Sequence, residues 1–282
     1  MRLHGETTDE KVTDKSRAFL YKSKRVRLAV SLAGVIMNYA FAVIVFAGIA
    51  WIAGGLPKGV DIVEVAPGSP ADEAGLMAHD KIDSIDGVGL TYTEYLPPLL
   101  EEKKDGEIVL GVVRGGELEE YRLTPRQNPP EGEGAIGIVF SPSEIYEPTL
   151  VQRPFAYGKY GFDKTYFLSV RILNGLGGIF SQASGGQVPE GVGGPLTVTA
   201  VLAEFVRFGL LPLLEFTAVI SVNLALINLI PFPPLDGSRA VLILAEGMTG
   251  RRMSPRIEAY IQTAGMAVLM LLVLVLTATE IP

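Results

Sequence analysis

Between Leu28 and Ala53 the chain runs for 26 residues without a charged side chain. At about 1.5 Å of rise per residue this is about 39 Å of helix, enough to cross about 30 Å of hydrocarbon with some tilt. A transmembrane helix is expected over 28–55. A secretory leader has a shorter apolar core, and 27 residues in front of it would be long for one. A second apolar run extends from about Gly209 to Ile230 and stops at Pro231-Phe232-Pro233-Pro234, where successive prolines cannot continue a helix. A third covers about Glu258 to Thr277. Between the first two runs the pattern changes to short alternating segments. Val60 to Val65 reads as a strand, and Ser69-Pro70-Ala71-Asp72 supplies an N-cap, a first-turn proline and an acid three residues after the cap, with the short helix ending at Gly75. Ile82 and Ile85 lead to a turn at Asp86-Gly87, and Ile108–Val113 and Leu118–Leu123 pair across Gly115-Gly116. Phe155 to Phe180 mixes aromatic and aliphatic residues with Lys159, Asp163, Lys164 and Arg171, which suits a helix lying at a membrane interface. The glycines from Ser184 to Pro195 read as a flexible connector.

Composition sharpens this picture. With 48% hydrophobic residues and a mean hydropathy of +0.34, the 282-residue chain is too apolar for a pair of ordinary soluble domains. Charge is unevenly spread: residues 57–155 carry 19 Asp/Glu against 8 Lys/Arg, while residues 1–27 carry 8 Lys/Arg against 4 Asp/Glu. That asymmetry argues for membrane topology and against nucleic acid as a partner. Lys22, Lys24, Arg25 and Arg27 precede the first span; Arg239, Arg251, Arg252 and Arg256 separate the second from the third. Both groups are expected on the cytoplasmic side, and the acidic stretch outside. The absence of cysteine excludes disulfides, thiolate metal sites and a cysteine nucleophile, which leaves metal binding to His, Asp or Glu. The two histidines, His4 and His79, are predicted to lie on opposite sides of the membrane.

The richest run for chemistry is Asn223 to Arg239. An aspartate in or beside a transmembrane helix costs about 2.5–3.5 kcal/mol on insertion scales and is there for a reason. Asp236 needs a partner, and a zinc ion is a suitable one, because carboxylate oxygen is an ordinary ligand and the prolines free the chain to aim it inward. A purely structural reading stays open, in which Asp236 caps a helix beginning near Gly237-Ser238. Asn38 and Asn228 are likewise open between substrate contact and hydrogen-bonding glue between helices.

Two resemblances bear on these residues. The succession Ser69-Pro70-Ala71, Ala74-Gly75-Leu76, His79-Asp80-Lys81-Ile82 and Ile85-Asp86-Gly87 resembles a PDZ domain of bacterial protease-associated type. This implies a groove that takes extended chain ends by strand addition, and Gly54-Gly55-Leu56-Pro57 is one candidate for its carboxylate loop. Asn228-x-x-Pro231-x-Pro233-Pro234-Leu235-Asp236-Gly237 resembles the signature of site-2 proteases, in particular the bacterial regulator-of-sigma-E type. Gly34-Val35-Ile36-Met37-Asn38 is similar to that family's G-x-x-x-N element, and Arg2-Leu3-His4-Gly5-Glu6 looks like a stretch that follows its first helix. The resemblance implies Asp236 as a zinc ligand and Asn38 and Asn228 as substrate-contacting residues. Gly34-Val35 replaces the family's frequent Gly-Pro, and Asp236-Gly237-Ser238 its D-G-G.

The family's H-E-x-x-H, two histidine ligands flanking a general-base glutamate, occurs nowhere in the 282 residues. From this we expect an N-terminally truncated sequence, as a missed start codon or a broken gene would give, inactive alone. The fold class expected is an α-helical polytopic membrane bundle, with three transmembrane helices in this chain and an inserted α+β PDZ-like domain. Its expected parts are a cytoplasmic segment 1–27, a span 28–55, the PDZ-like domain 58–128, a linker with interfacial helices 129–206, and two spans within 207–282. The implied function is that of an intramembrane zinc metalloendopeptidase. It would act on membrane-anchored proteins such as anti-sigma factors or residual signal peptides, in a bacterial plasma membrane. The alternative is a non-catalytic membrane scaffold that docks peptide ends.

Overall fold

The computed structural model describes residues 21–103, 106–130, 132–184, 194–250 and 253–280. Helix α1 (Lys24–Ala53) is followed by strands β1 (Leu56–Lys58) and β2 (Val60–Val65), helix α2 (Pro70–Glu73), strands β3 (Lys81–Ile85) and β4 (Val88–Gly89), and a 3-10 turn at Thr93–Tyr95. Helix α3 (Leu96–Glu102), the hairpin β5 (Ile108–Arg114) and β6 (Glu117–Leu123), and strands β7 (Ile138–Ser141) and β8 (Glu144–Tyr146) complete the β-rich part. Five helices follow: α4 (Arg153–Ser184), α5 (Pro195–Phe208), α6 (Leu210–Leu229), α7 (Asp236–Thr249) and α8 (Pro255–Glu280). The chain divides into a helical unit, residues 1–52 with 154–282, and a sheet unit, residues 53–153.

In the helical unit, Lys24–Ala53, Leu210–Leu229 and Ile257–Val275 are long and apolar enough to cross a membrane, at the three places where the sequence pattern put spans. α1 buries Arg27, Ser31, Ala42, Phe46 and Ala50, mostly four residues apart and therefore along one face. Ala42 and Phe46 pack with Ala218, Val222 and Leu226 of α6, and Leu168 and Ile172 of α4 close over them. At Gly209, whose φ of +109° suits a residue without Cβ, the chain folds α5 back on α6, and Phe205 stacks on Phe216 at 5.0 Å between ring centroids. At the Lys24 end of α1, Arg27 Nη1 donates to Glu246 Oε2 of α7 at 2.8 Å, and Lys24 Nζ donates to the Glu246 carbonyl at 3.0 Å.

α4 belongs to the helical unit. It lies against α1 lengthwise: Tyr157 meets Trp51 at 5.6 Å between centroids, and Gly161 fits so closely against the Val43 carbonyl and Ala47 that no Cβ has room there. Lys164 Nζ pairs with Glu215 of α6 at 2.8 Å and sits 5.0 Å from the Phe46 ring centre. Glu215 thus has a partner within the protein.

The sheet unit is built as its pattern predicted and extends further. Ser69 Oγ accepts from the Asp72 N–H at 3.2 Å and caps α2, which begins at Pro70. The turns at Asp86-Gly87 and Gly115-Gly116 join β3 to β4 and β5 to β6. The six-stranded sheet has the order β6-β5-β3-β2-β7, with β4 on β3, and its core contains Val60, Ile62, Ile82, Leu96, Ile108, Leu110 and Val112. β7 lies beyond residue 128, so part of the stretch read as linker is a strand of this sheet. A separate ribbon pairs β1 with β8, Leu56 facing Tyr146. Residues 1–20, 185–193, 251 and 252 lie outside the described set, and with them His4, the Arg2–Glu6 motif, most of the glycine-rich connector, Arg251 and Arg252.

Candidate metal and substrate site

The prolines at 231, 233 and 234 end α6 at Leu229, and the chain crosses to α7 in six residues held by short turns. Phe232 N–H donates to the Ile230 carbonyl at 2.7 Å, and Leu235 N–H to the Phe232 carbonyl at 2.8 Å. Two glycines clamp this crossing. Gly237 in the first turn of α7 lies against the Leu229 and Ile230 carbonyls, and Gly265 of α8 lies against the Pro233 carbonyl; in both cases a Cβ would collide with backbone. The glycine of Leu235-Asp236-Gly237 is therefore required by packing. Gly265 was not singled out by sequence reasoning, because a lone small residue inside an apolar helix carries no local signal of a tertiary contact.

α7 starts at Asp236 itself, with Leu235 as N-cap and no side-chain capping hydrogen bond. Asp236 thus stands in the first turn of α7, where a carboxylate is favoured by the helix N-terminus. The Asp236 carboxylate turns toward α1, where a methyl added to Gly34 would lie 3.6 Å from Oδ2. Asn38, one helical turn beyond Gly34, shares that face of α1. The structure thus joins two motifs that lie about two hundred residues apart in sequence. Asn228 stays in the last turn of α6. Asp236, Asn38 and Asn228 are all half-buried, and among the described residues none of the three side chains has a hydrogen-bond or ion-pair partner.

A half-buried carboxylate with no cation and no donor, at the break of a membrane helix, has the donor chemistry of a metal ligand. Catalytic zinc takes three protein ligands and an open position, and no group of three His, Asp or Glu side chains forms among the described residues. The carboxylate fits one coordination position, and the described residues do not make a complete zinc site. A cavity of about 150 Å³ lies between α7 and α8, lined by Ser238, Glu258 and Gln262 with Pro231 and Pro233. Ser238 is two residues, about 200° of helical turn, from Asp236, so this cavity is on the opposite side of α7.

In the sheet unit, β7 is an outer strand that among the described residues pairs only with β2, and an outer strand has one row of backbone groups available to another chain. Gly137, at φ +75° and against Ser69, sets its start. Gly54 to Pro57 lead instead into the β1–β8 ribbon, which corrects their candidacy as a carboxylate loop: they are not at the open edge of the main sheet. Asp80 is almost fully buried and takes two hydrogen bonds from Arg114, at 2.6 and 2.7 Å, and one from the Met77 N–H at 2.8 Å. Burial alone would raise its pKa, but these bonds and the Arg114 charge outweigh it and hold the carboxyl below the usual carboxylate range. His79, at φ +73°, donates its N–H to the Ile62 carbonyl and is a turn residue of the sheet unit.

Comparison with known proteins agrees with the signature around Asp236. Zinc metalloprotease RasP of Oceanobacillus iheyensis is 27% identical over 94% of this chain and 62% of its own length. The chloroplastic membrane metalloprotease ARASP of Arabidopsis thaliana is 33% identical over 90% of this chain and 58% of its own. The chain therefore spans about three-fifths of the length of these two relatives. Among solved structures, the PDZ domain of the SdrC-like protein from Listeria innocua aligns with 32% of this chain and all of that one, at 26% identity and a TM-score of 0.27. The family model for peptidase family M50 matches residues 2–272, and with almost the whole chain inside that match it belongs to peptidase family M50, the site-2 proteases.

Proposed function

We propose that this chain carries the aspartate side of an intramembrane zinc endopeptidase: Asp236 supplies one metal ligand, and the α1 face bearing Gly34 and Asn38 borders the place where substrate lies. The observation that carries this reading is the unpartnered Asp236 carboxylate against Gly34 at the proline break. Zinc, once held, would polarise a peptide carbonyl and activate water. What the residues of this chain contribute is a fixed oxygen ligand, an approach over Gly34 with no side chain in the way, and two amides with unused hydrogen-bonding groups for an unwound substrate backbone.

The substrate on this reading is a membrane-anchored protein in a bacterial plasma membrane, of the anti-sigma-factor or signal-peptide kind. The contact of Lys24 and Arg27 with Glu246 supports placing the basic residues before α1 and those around α7 on one side of the membrane, the cytoplasmic side by charge. The sheet unit then faces the other side, and the open edge of β7 is where a substrate chain end would add as a strand.

The test is Asp236→Asn in the protein purified from its native membrane. Bound zinc should fall, and cleavage of a membrane-anchored reporter should drop by at least about a hundredfold, as losing a group central to transition-state stabilisation does. Undiminished cleavage by the variant would overturn the reading. A second reading, a membrane scaffold that docks peptide ends, is favoured by the open β7 edge. It predicts binding of a truncated peptide to the sheet unit with no zinc in the purified protein.

A further inference from the structure

α4 carries Lys159, Asp163, Lys164 and Arg171, too many charges for it to count as a span by composition, yet its neighbours are membrane-spanning helices. Its contacts descend along α1 in order: Tyr157 beside Trp51, Gly161 against Val43 and Ala47, Lys164 over Phe46, then Leu168 and Ile172 on the cluster of Ala42, Ala218 and Val222. From Tyr157 to Ile172 is about 22 Å of helix at 1.5 Å per residue, and Ala218 and Val222 lie about 12 and 18 Å from the Leu210 end of α6 by the same rise. This stretch of α4 is therefore at the depth of the spans it packs on, well below the Trp51 end.

Several of its polar groups are paired within the protein, and the Arg171 guanidinium lies 5.9 Å from the centre of the Phe167 ring. The side chain of Lys164 is 12% exposed and paired with Glu215; Asp163 is paired with Lys159 at 2.6 Å. The buried Thr165 and Ser169 hydroxyls donate to the carbonyls of Gly161 and Thr165, each at 2.7 Å. Between Tyr160 and Leu173 the exposed residues of α4 are apolar: Phe162, Tyr166, Val170 and Leu173, spaced four, four and three apart along one stripe. A stretch of helix that covers Lys164 with a partner and shows aromatic and aliphatic side chains inverts the pattern suited to water and suits hydrocarbon.

We infer that α4 is a fourth membrane-embedded helix, held at bilayer depth against α1 and α6, and that the stripe Phe162, Tyr166, Val170 and Leu173 contacts lipid acyl chains. The occupant is lipid because the stripe continues the surface of helices whose own exposed residues, such as Ile44 on α1, are those of membrane spans. Lys159 sits at the Trp51 level, where its amine reaches the polar boundary. The inference rests on α1 and α6 as spans and is independent of zinc and of hydrolysis.

The natural absence of cysteine allows a direct test. Single cysteines replacing Phe162, Tyr166 and Leu173 would carry nitroxide labels in the full-length protein, in phosphatidylcholine–phosphatidylglycerol vesicles. Leu118→Cys on the exposed sheet surface and Thr165→Cys in the buried seam serve as references. The expected result is an oxygen-to-nickel-chelate collision ratio several-fold above that at Leu118, rising from Phe162 to Leu173. Ratios equal to that at Leu118 would place the helix in water. Low collision with both reagents, as at Thr165, would mean that protein and not lipid covers the stripe. Either result overturns the inference.

Discussion

Asp80 and Asp236 face opposite situations. Asp80 is enclosed and answered by three donors; Asp236 is half-enclosed and, among the described residues, answered by none. For Asp80 the consequence is stability. A carboxylate whose pKa is held below its unfolded value contributes stability that is complete above about pH 4 and is lost as pH falls through the lowered value. Asp86, held low by the Val109 N–H and by Lys103, adds to the same trend. Asp80→Asn should therefore cost about 2–3 kcal/mol at neutral pH, the scale of hydrogen bonds to a charged group, and the gap to the unaltered protein should shrink in acid. Thermal unfolding of the sheet unit at pH 7 and pH 3 checks this; a loss that is the same at both would show that the Arg114 pair is not what Asp80 provides. For Asp236 the same reasoning gives ligand binding in place of stability, and Asp236→Asn should leave the melting temperature of the metal-free protein nearly unchanged.

The helices meet through glycines. Gly161, Gly237 and Gly265 each place a neighbouring backbone where a Cβ would otherwise stand, the close approach by which helices associate when hydrocarbon surrounds them and the hydrophobic effect gives no push. Gly161→Leu should separate α4 from α1, expose the Lys164–Glu215 pair and cost about 1–3 kcal/mol or more through overpacking. Its measure is the midpoint of denaturation in detergent, and an unchanged midpoint would mean that α4 is not held there. These contacts also mark how far the sequence could be read. The three spans were visible because a strongly apolar run of about 20 residues has few other uses, and α2 because Ser69 and Pro70 are a capping pair. The packing of α4 was hidden, since Lys164 is paired with Glu215, which lies far away in sequence. β7 was hidden because the glycines at 132, 134 and 137 read as loop. At the candidate site the proline break beside Asp236 was legible, while the approach of Asp236 to Gly34 depends on how α1 packs and could not be read from spacing.

At the scale of the molecule, the chain leaves the helical unit at residue 53 and returns at 153. Within the sheet unit the departing and returning strands are hydrogen-bonded to each other, Leu56 to Tyr146 through Lys58 to Glu144, so their Cα atoms lie about 5 Å apart. Within the helical unit the two flanking residues Trp51 and Tyr157 touch. Insertion points of this kind behave as sockets: what is plugged in can be exchanged as long as its own two ends sit close together. Replacing residues 55–147 by a short glycine-serine loop should leave the helical unit folded, with the Trp51 emission maximum and the helical circular dichroism per residue of the remainder unchanged. A collapsed or aggregated product would show that the sheet holds the helices together. If the excision is tolerated, the sheet is a replaceable accessory, and its exchange for an unrelated domain with neighbouring termini becomes a way to change which chains this membrane protein admits without touching the residues around Asp236.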